Sequence, residues 1–319
     1  MAPAAAVAVT GATGFIGRQL CLHLRDQGYR VRALVRSPAR AAQLMRAGVE
    51  LVPGDLAATA ALRELLADAA AVIHCAGTVR GRTPADFAPA NVRGVESLCA
   101  ALRHRPGCRL LALSSLAARE PTLSAYAASK YAGEQVLLAQ GGAIAWTVLR
   151  PPAVYGPGDR ELLPLFRLMA RGLALVPGDV TARVSLLYVT DLVAAAAAWL
   201  RRAPPPRRIF TLSDPTDAGY SWQDILAIAG AQFGRRVRRV PLPAMALDAA
   251  ARVNWLGAAA LGYAPMLTPA KLRELRHPDW VCGWRELAGV LDWQPQVTLA
   301  EGLRRTLGAT TAASRTTRS

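Results

Sequence analysis

A glycine-rich loop between an apolar run and a helical pattern is the feature that most constrains the fold. The apolar run Ala4–Thr10 leads into the segment TGATGFIG, and a helix is expected from about Phe15 to Gln27. Glycines at every third position (Gly11, Gly14 and Gly17) allow a tight turn, close backbone approach to a ligand and close helix–strand packing. This is the context that a dinucleotide-binding loop requires, although a glycine-rich turn without a ligand is the alternative. The predicted contacts are Gly11, Thr13, Gly14, Phe15, Ile16 and Gly17.

Short apolar runs alternate with helical patterns through the first half of the chain. Strands are expected at Arg30–Arg36, Val49–Val52, Ala71–Cys75, Arg109–Ser114 and Ala145–Leu149, and helices around Leu62–Leu66, Pro84–Arg103 and Tyr126–Ala139. Strands that alternate with helices predict parallel βαβ units covered on both faces. The expected fold class is therefore α/β, a Rossmann-type doubly wound parallel sheet with a smaller, mostly helical C-terminal substrate lobe.

The regular alternation ends after Arg150, where proline and glycine become frequent. Residues 1–156 are assigned to the dinucleotide-binding core, and residues 183–212 are expected to return to it. Residues 157–182 and 213–308 form the predicted substrate-binding lobe. The last residues, 309–319, are small, polar and unpatterned, which predicts a disordered tail.

Composition narrows the class of protein. The five cysteines form no Cys-x-x-Cys pair and the four histidines show no metal-ligand spacing, so we expect free thiols, a reducing cytoplasm and no metal. The net charge is +16, and Arg doublets carry much of it. A solvated basic surface is favoured over a nucleic-acid or anionic-membrane contact, because no nucleic-acid-binding motif accompanies the charge.

Lysine is scarce, and its position is informative. The chain has two lysines against 36 arginines, and one of the two closes the run Tyr126–Lys130. A tyrosine and a lysine four residues apart lie on one face of a helix. Arginine could replace lysine as a surface charge, but not where a compact ammonium must hold a sugar hydroxyl and acidify a phenol.

Several segments in family order resemble the extended short-chain dehydrogenase/reductase family. They are the glycine loop with Tyr126–Lys130, and residues 150–159, 183–194 and 291–295; the likeness covers residues 4–305. More narrowly, the chain is similar to the NAD-dependent epimerase/dehydratase and 3β-hydroxysteroid dehydrogenase group. The last of these segments carries Asp292 where the family has glycine.

The resemblance implies a set of catalytic residues. Tyr126 would be the general acid/base, activated by the Lys130 ammonium, which would also bind the nicotinamide ribose. Ser115 would polarise the substrate oxygen, with Ser114 as the alternative. Asn91 would lie near the lysine. Only eleven positions separate Ser115 from Tyr126, so the loop between them is shorter than in many sugar epimerases.

Further cofactor contacts are implied by the same resemblance. Asp55 would contact the adenine, although it also suits a helix N-cap. The end of the fourth strand would border the nicotinamide ribose, with His74 as a strand-end residue. The implied contacts are Asp55, Leu56, Cys75, Ala76, Gly77, Pro151 and Val154, in addition to Tyr126 and Lys130.

The second strand indicates which cofactor is bound. An acid at its end would hold a ribose 2′-hydroxyl. No acid occurs from Tyr29 to Val49, and Arg36 and Ser37 stand at the expected position. These two residues suit a 2′-phosphate, with Arg18 as a possible assistant. NADP(H) is therefore favoured, and NAD(H) stays open.

The expected function is an oxidoreductase that moves hydride between a nicotinamide cofactor and a bulky, apolar secondary alcohol or ketone. A nucleotide-sugar epimerase or dehydratase with tightly bound NAD is the alternative, followed by a non-catalytic nucleotide-binding protein. The apolar composition of residues 245–267 favours an ordinary pair of core helices. The more specific hypothesis is that they form an apolar lid or a weak contact with an anionic membrane. A homodimer is common in the family.

Overall fold

The computed structural model describes residues 6–142, 144–202, 207–240, 243–265 and 267–316. The strands are β1 (Ala6–Thr10), β2 (Val31–Val35), β3 (Glu50–Pro53), β4 (Ala69–His74), β5 (Arg109–Leu113), β6 (Trp146–Arg150), β7 (Ala153–Tyr155), β8 (Leu173–Leu175), β9 (Arg183–Val184), β10 (Leu186–Tyr188), β11 (Arg208–Thr211), β12 (Tyr220–Ser221), β13 (Arg238–Val240) and β14 (Asp279–Trp280). The α-helices are α1 (Phe15–Asp26), α2 (Ala42–Arg46), α3 (Thr59–Leu66), α4 (Pro84–Ala88), α5 (Gly94–Leu102), α6 (Ala125–Gln140), α7 (Leu163–Ala170), α8 (Val189–Arg201), α9 (Trp222–Phe233), α10 (Ala244–Leu261), α11 (Pro269–Leu275), α12 (Arg285–Ala288) and α13 (Leu299–Thr316).

A seven-stranded sheet organises the first part of the chain. Its strand order is β11-β6-β5-β4-β1-β2-β3, and the pairs from β3 through β6 are parallel. The order reverses between β1 and β4, which is the topological switch point where ligands bind in doubly wound folds. The predicted α/β Rossmann-type fold is confirmed.

Apolar side chains cover one face of this sheet. Leucines of α3 and α5 pack with buried residues of β4 and β5, and the cluster includes Leu62, Leu65, Leu66, Val72, Leu98, Leu102 and Leu110. Strands buried on both faces read as continuous apolar runs, as β1 does. The core thus holds the carboxyl ends of the strands in fixed positions.

The chain forms two compact units. The first comprises the described parts of Met1–Arg150, Val193–Phe210 and Gly289–Trp293. The second comprises those of Pro151–Leu192, Thr211–Ala288 and Gln294–Ser319. Its core is aromatic, with the Tyr155 ring edge-on to Phe166 and Tyr188 at centroid distances of 5.4 and 5.3 Å.

The division differs from the predicted domains. Residues 183–192 were expected to return to the core, but β10 pairs in parallel with β7 in a separate two-stranded sheet. Residues 151–156, which were assigned to the core, belong to the second unit because they contain β7, the partner of β10. Residues 289–293, which were predicted to belong to the substrate lobe, join the first unit.

Two further predictions about elements are corrected. The expected helix Pro84–Arg103 is interrupted by a π-helical turn, Pro89–Arg93, between α4 and α5. The tail predicted to be disordered from residue 309 continues α13 as far as Thr316. Alanine has the highest helix propensity and elongation of an existing helix is favourable, which accounts for the extension.

The five cysteines are free thiols, as predicted. Among the described residues, no helix combines the length and apolar character needed to cross a membrane.

Candidate active site

The glycine loop lies at the switch point, where close contacts between backbone segments leave no room for side chains at Gly11 and Gly17. Gly11 has φ +70°, and a Cβ there would lie 2.5 Å from the backbone nitrogen of Ala76. A Cβ on Gly17 would collide with the carbonyl oxygen of Gly11. The Gly14 N–H donates to the same carbonyl at 3.0 Å. The loop therefore joins β1, α1 and the end of β4 in one tight contact.

The start of α1 suits a diphosphate. Gly14 precedes the helix, no side chain caps it, and its first turn carries no acid. The first N–H groups of a helix lack partners within the helix and favour an anion. Thr13 and Gly14 are exposed, whereas Phe15 and Ile16 are half-buried. These features fit a nicotinamide dinucleotide.

The end of β4 contributes a buried neutral histidine. The ring nitrogen Nδ1 of His74 lies 2.7 Å from Oγ1 of Thr10 at the end of β1. Burial, and then the charge of Lys130, lower the pKa of His74 to about 3. Burial raises the pKa of the neighbouring Cys75 thiol to about 12. Neither side chain supplies a charged or nucleophilic group at neutral pH, and His74 is a strand-end residue, as expected.

The Lys130 ammonium is held where three segments meet. Its Nζ donates to the carbonyl oxygen of Leu113 at 3.1 Å. A Cβ on Gly77 would lie 3.0 Å from that Nζ and 3.1 Å from Oδ1 of Asn91. Burial lowers the pKa of Lys130 to about 8, and the carboxylate of Glu134 opposes this effect. A compact cation therefore stands beside the backbone at the end of β4.

Asn91 connects the β4 loop to α6. It lies buried in the π-helical turn, a feature that often occurs at functional sites. Its Oδ1 accepts from the Thr78 N–H at 2.8 Å, and its Nδ2 donates to the Thr78 carbonyl at 3.0 Å and to Oγ of Ser129 at 2.8 Å. Ser129 in turn donates to the Tyr126 carbonyl at 2.7 Å. Sequence reasoning missed Ser129, whose signal is its position beside Lys130.

Tyr126 occupies the first turn of α6. Ser124 caps this helix by accepting from the Ala127 N–H at 3.0 Å. The Tyr126 ring is half-buried, and its centroid lies 6.0 Å from that of Phe87. Because Lys130 is one turn further along α6, the two side chains share a face.

The two candidate serines have different surroundings. Ser114 donates its hydroxyl proton to the carboxylate of Glu134. Ser115 is half-buried, and its Oγ accepts from the Ala117 N–H at 3.2 Å at the start of a 3₁₀ turn. That turn packs against α6. Ser114 is therefore committed to an internal acceptor, whereas the Ser115 hydroxyl can still donate its proton.

A buried ion pair supports the same helix. Glu134 is almost fully buried, and the Arg150 guanidinium binds both its carboxylate oxygens, at 2.9 and 2.5 Å. The pair joins α6 to the end of β6. Sequence reasoning missed it, although Glu134 stands four residues after Lys130.

A basic residue follows the second strand, as the sequence predicts. Arg36 is exposed directly after β2, and Ser37 precedes a 3₁₀ turn without capping it through its side chain. Oδ1 of Asp55 accepts from the Ala57 and Ala58 N–H groups at 2.9 and 3.0 Å, which stabilises a turn before α3. The N-cap residue of α3 is Ala58, so the alternative role of Asp55 as a helix N-cap is wrong. Leu56 packs against Gly94.

Two predicted cofactor contacts lie in the second unit. Pro151 is buried after β6, and Val154 pairs with Leu187 between β7 and β10.

Comparison with known proteins agrees with this arrangement. The NAD dependent epimerase/dehydratase family matches residues 7–212, which span the glycine loop, Asn91, Ser115, Tyr126 and Lys130. The chain belongs to this family. Within it, the protein is an enzyme of the extended short-chain dehydrogenase/reductase type, an NAD(P)-dependent oxidoreductase or epimerase.

Individual members of the family are similar over much of the chain. A ceramide reductase of Caulobacter vibrioides is 39% identical over 274 residues, covering 86% of this chain and 85% of the relative. A 2-alkyl-3-oxoalkanoate reductase of Stenotrophomonas maltophilia is 31% identical, covering 59% of this chain and 63% of the relative. A UDP-glucuronic acid 4-epimerase from Bacillus cereus, solved with UDP-glucuronic acid and NAD, shares the fold with a TM-score of 0.73 and 19% identity, covering 96% of this chain and 99% of that one.

Proposed function

We propose that the protein is an NADPH-dependent reductase of a ketone carried on long hydrocarbon chains. The observation that carries the proposal is the convergence of Asn91, Lys130 and the β4 backbone at Gly77, with Tyr126 one turn before the lysine. Two of the reductases similar to this chain bear names that specify a ceramide and an alkyl-substituted 3-oxoalkanoate. Both names describe molecules that carry alkyl chains.

The proposed chemistry assigns one task to each polar side chain. When bound, the nicotinamide cofactor supplies the hydride. Ser115 donates a hydrogen bond to the substrate carbonyl oxygen, and Tyr126 donates the proton that converts this oxygen to a hydroxyl. Lys130 holds the ribose hydroxyls and, as a cation, favours the phenolate that Tyr126 becomes. Asn91 positions the helix through Ser129.

The preference for NADPH rests on the end of β2. Arg36 is exposed and is followed by Ser37, so a guanidinium and a hydroxyl are available to a 2′-phosphate. Charge-assisted bonds from arginine to phosphate are strong and often bidentate. No acid stands from Tyr29 to Val49 to hold a free 2′-hydroxyl. NADPH is therefore expected to bind more tightly than NADH.

The test combines turnover and binding. Purified protein is mixed with NADPH or NADH and with long-chain 3-oxo amides, 2-alkyl-3-oxoalkanoates, short ketones or nucleotide sugars. Loss of reduced cofactor is followed by absorbance and the product by mass spectrometry. We expect NADPH oxidation with the long-chain ketones. Isomerised sugar with tightly bound cofactor and no net oxidation would instead establish the epimerase reaction, and equal dissociation constants for the two cofactors would contradict the NADPH preference.

The state of Lys130 predicts how cofactor binding depends on pH. Because burial lowers the pKa of Lys130 to about 8, the free protein carries this ammonium below pH 8 and loses it above. The association constant for NADPH should therefore be level below that pH and fall above it, by up to about tenfold per pH unit. Titration calorimetry across this range measures the effect. In Lys130→Met the inflection should disappear; an unchanged profile in that variant would remove Lys130 from the site.

A further inference from the structure

Helix α10 turns an apolar face toward solvent. Met245, Val253 and Leu256 have 84%, 70% and 59% of their surface exposed. Together with Ala249 and Ala260 they recur every three or four residues, which places them in one stripe along the helix. The opposite side carries the buried residues Ala251 and Ala258. The expectation of an ordinary core helix pair is therefore wrong for this face.

The face is held outward by polar bonds on the inner side of the helix. Nδ2 of Asn254 donates to the Leu267 carbonyl at 2.8 Å, and the Tyr263 hydroxyl donates to Oδ1 of Asn254 at 2.6 Å. Nη1 of Arg276 in the turn after α11 lies 2.8 Å from Oδ1 of Asp248. These contacts fix the rotation of α10, so its apolar stripe is a stable feature of the surface.

Basic residues surround this helix. Residues 235–276 hold eight lysines and arginines and two acids, and both acids are paired, Asp248 with Arg276 and Glu274 with Lys271. Arg235, Arg236, Arg238 and Arg239, on or directly before β13, are exposed. The position of this strand is fixed relative to α10, because Arg239 bonds the Gly178 carbonyl while Arg276 bonds that of Pro177. The cationic cluster and α10 are thus both anchored to the same segment, Pro177–Gly178.

We propose that the apolar stripe of α10, together with the arginine cluster, docks the enzyme on a bilayer that contains anionic phospholipid. A helix with an apolar face, flanked by arginines, can lie in the plane of the interface with its apolar side chains among the acyl chains. The nearby arginines attract the negatively charged headgroups. Docking would give the enzyme access to ketones dissolved in the membrane. The docking proposal rests on the proposed function only for this access to substrate, because membrane binding itself requires no substrate.

The experiment is co-sedimentation of the full chain with vesicles of phosphatidylcholine alone or with phosphatidylglycerol, at low and at high salt. We expect binding to the anionic vesicles that weakens with salt. Val253→Asp/Leu256→Asp should reduce the partition coefficient about tenfold or more, since it places two charges in the apolar stripe. Arg235→Gln/Arg236→Gln should also reduce it about tenfold, since each basic residue near the surface contributes.

Matched controls come from the first unit. Met45 and Leu138 are 58% and 53% exposed, so Met45→Asp/Leu138→Asp adds the same charge to comparable apolar positions. Arg46→Gln/Arg63→Gln removes the same charge from exposed arginines. Both controls should bind vesicles like the unaltered protein. Circular dichroism confirms that each variant is folded.

Three results would overturn the proposal. They are no binding to anionic vesicles at low salt, equal binding by the α10 variant and its control, and a dimer that Val253→Asp/Leu256→Asp dissociates without any change in vesicle binding. The last would identify a second copy of the chain as the occupant. Turnover of a long-chain ketone dispersed in detergent micelles is measured in parallel; if it persists while vesicle binding is absent, the docking proposal fails and the reductase proposal stands.

Discussion

Tyr126→Phe should lower kcat by about a thousandfold, because positioned general acids contribute about 10²–10⁴ to a rate. The substitution removes one oxygen and leaves a ring that can still pack against Phe87. It does not alter the glycine loop or Lys130, so the dissociation constant for NADPH should stay within about twofold. Steady-state kinetics with the long-chain ketone, together with calorimetric titration of cofactor, separate the two effects.

Tyr131→Phe is the matched control for this substitution. Tyr131 lies in the same helix, five residues further on, and is exposed. Removal of its hydroxyl should leave kcat unchanged. If Tyr126→Phe retained normal turnover, or if both variants lost activity equally, Tyr126 would not be the proton donor.

The second large effect concerns stability. Glu134→Gln removes the charge of an almost fully buried carboxylate. This carboxylate binds the Arg150 guanidinium and accepts a hydrogen bond from the Ser114 hydroxyl. Removal of one partner from a buried ion pair leaves the other charge without compensation, and we expect a loss of about 3 kcal/mol in the free energy of unfolding. Chemical denaturation monitored by fluorescence measures it. The pH at which NADPH affinity declines should also move down, since the Glu134 carboxylate raises the pKa of Lys130.

Glu301→Gln provides the comparison. Glu301 also binds two arginines, Arg304 through both carboxylate oxygens and Arg305 through one, but at the surface of α13, where its side chain is 30% exposed. Water screens such pairs, so this variant should be nearly as stable as the unaltered protein. Equal losses in the two variants would show that the Glu134 pair contributes no more than a surface pair.

The sequence predicts the nucleotide loop well because geometry leaves few choices there. Gly11 and Gly17 are each pressed against backbone atoms, and the alternation of strands and helices before and after them is regular. The helix predicted to end near Gln27 ends at Asp26, and the φ of +81° at Gly28 is the left-handed conformation that glycine adopts readily after a helix. Local requirements of this kind can be read from a chain before its fold is known.

Properties that depend on distant partners could not be read in this way. The strand Leu186–Tyr188 shows the apolar character of a core strand, yet its hydrogen-bonding partner is β7. Similarly, the residues of α10 are apolar on both sides, and only the packing of Ala251 and Ala258 decides which side is inside. Apolar periodicity identifies an element, whereas its neighbours determine what that element covers.

The π-helical turn has a consequence for the register of the helix that carries Asn91. A π-helical turn holds one residue more than an α-helical turn, so Pro89–Arg93 shifts the register between α4 and α5. The excess backbone rotates Asn91 out of the register that α4 would otherwise impose, toward Thr78 and Ser129. Deleting one residue there would restore an uninterrupted helix at the expense of that amide. In this irregular helix, the number of residues in the turn therefore helps to set the position of a polar side chain.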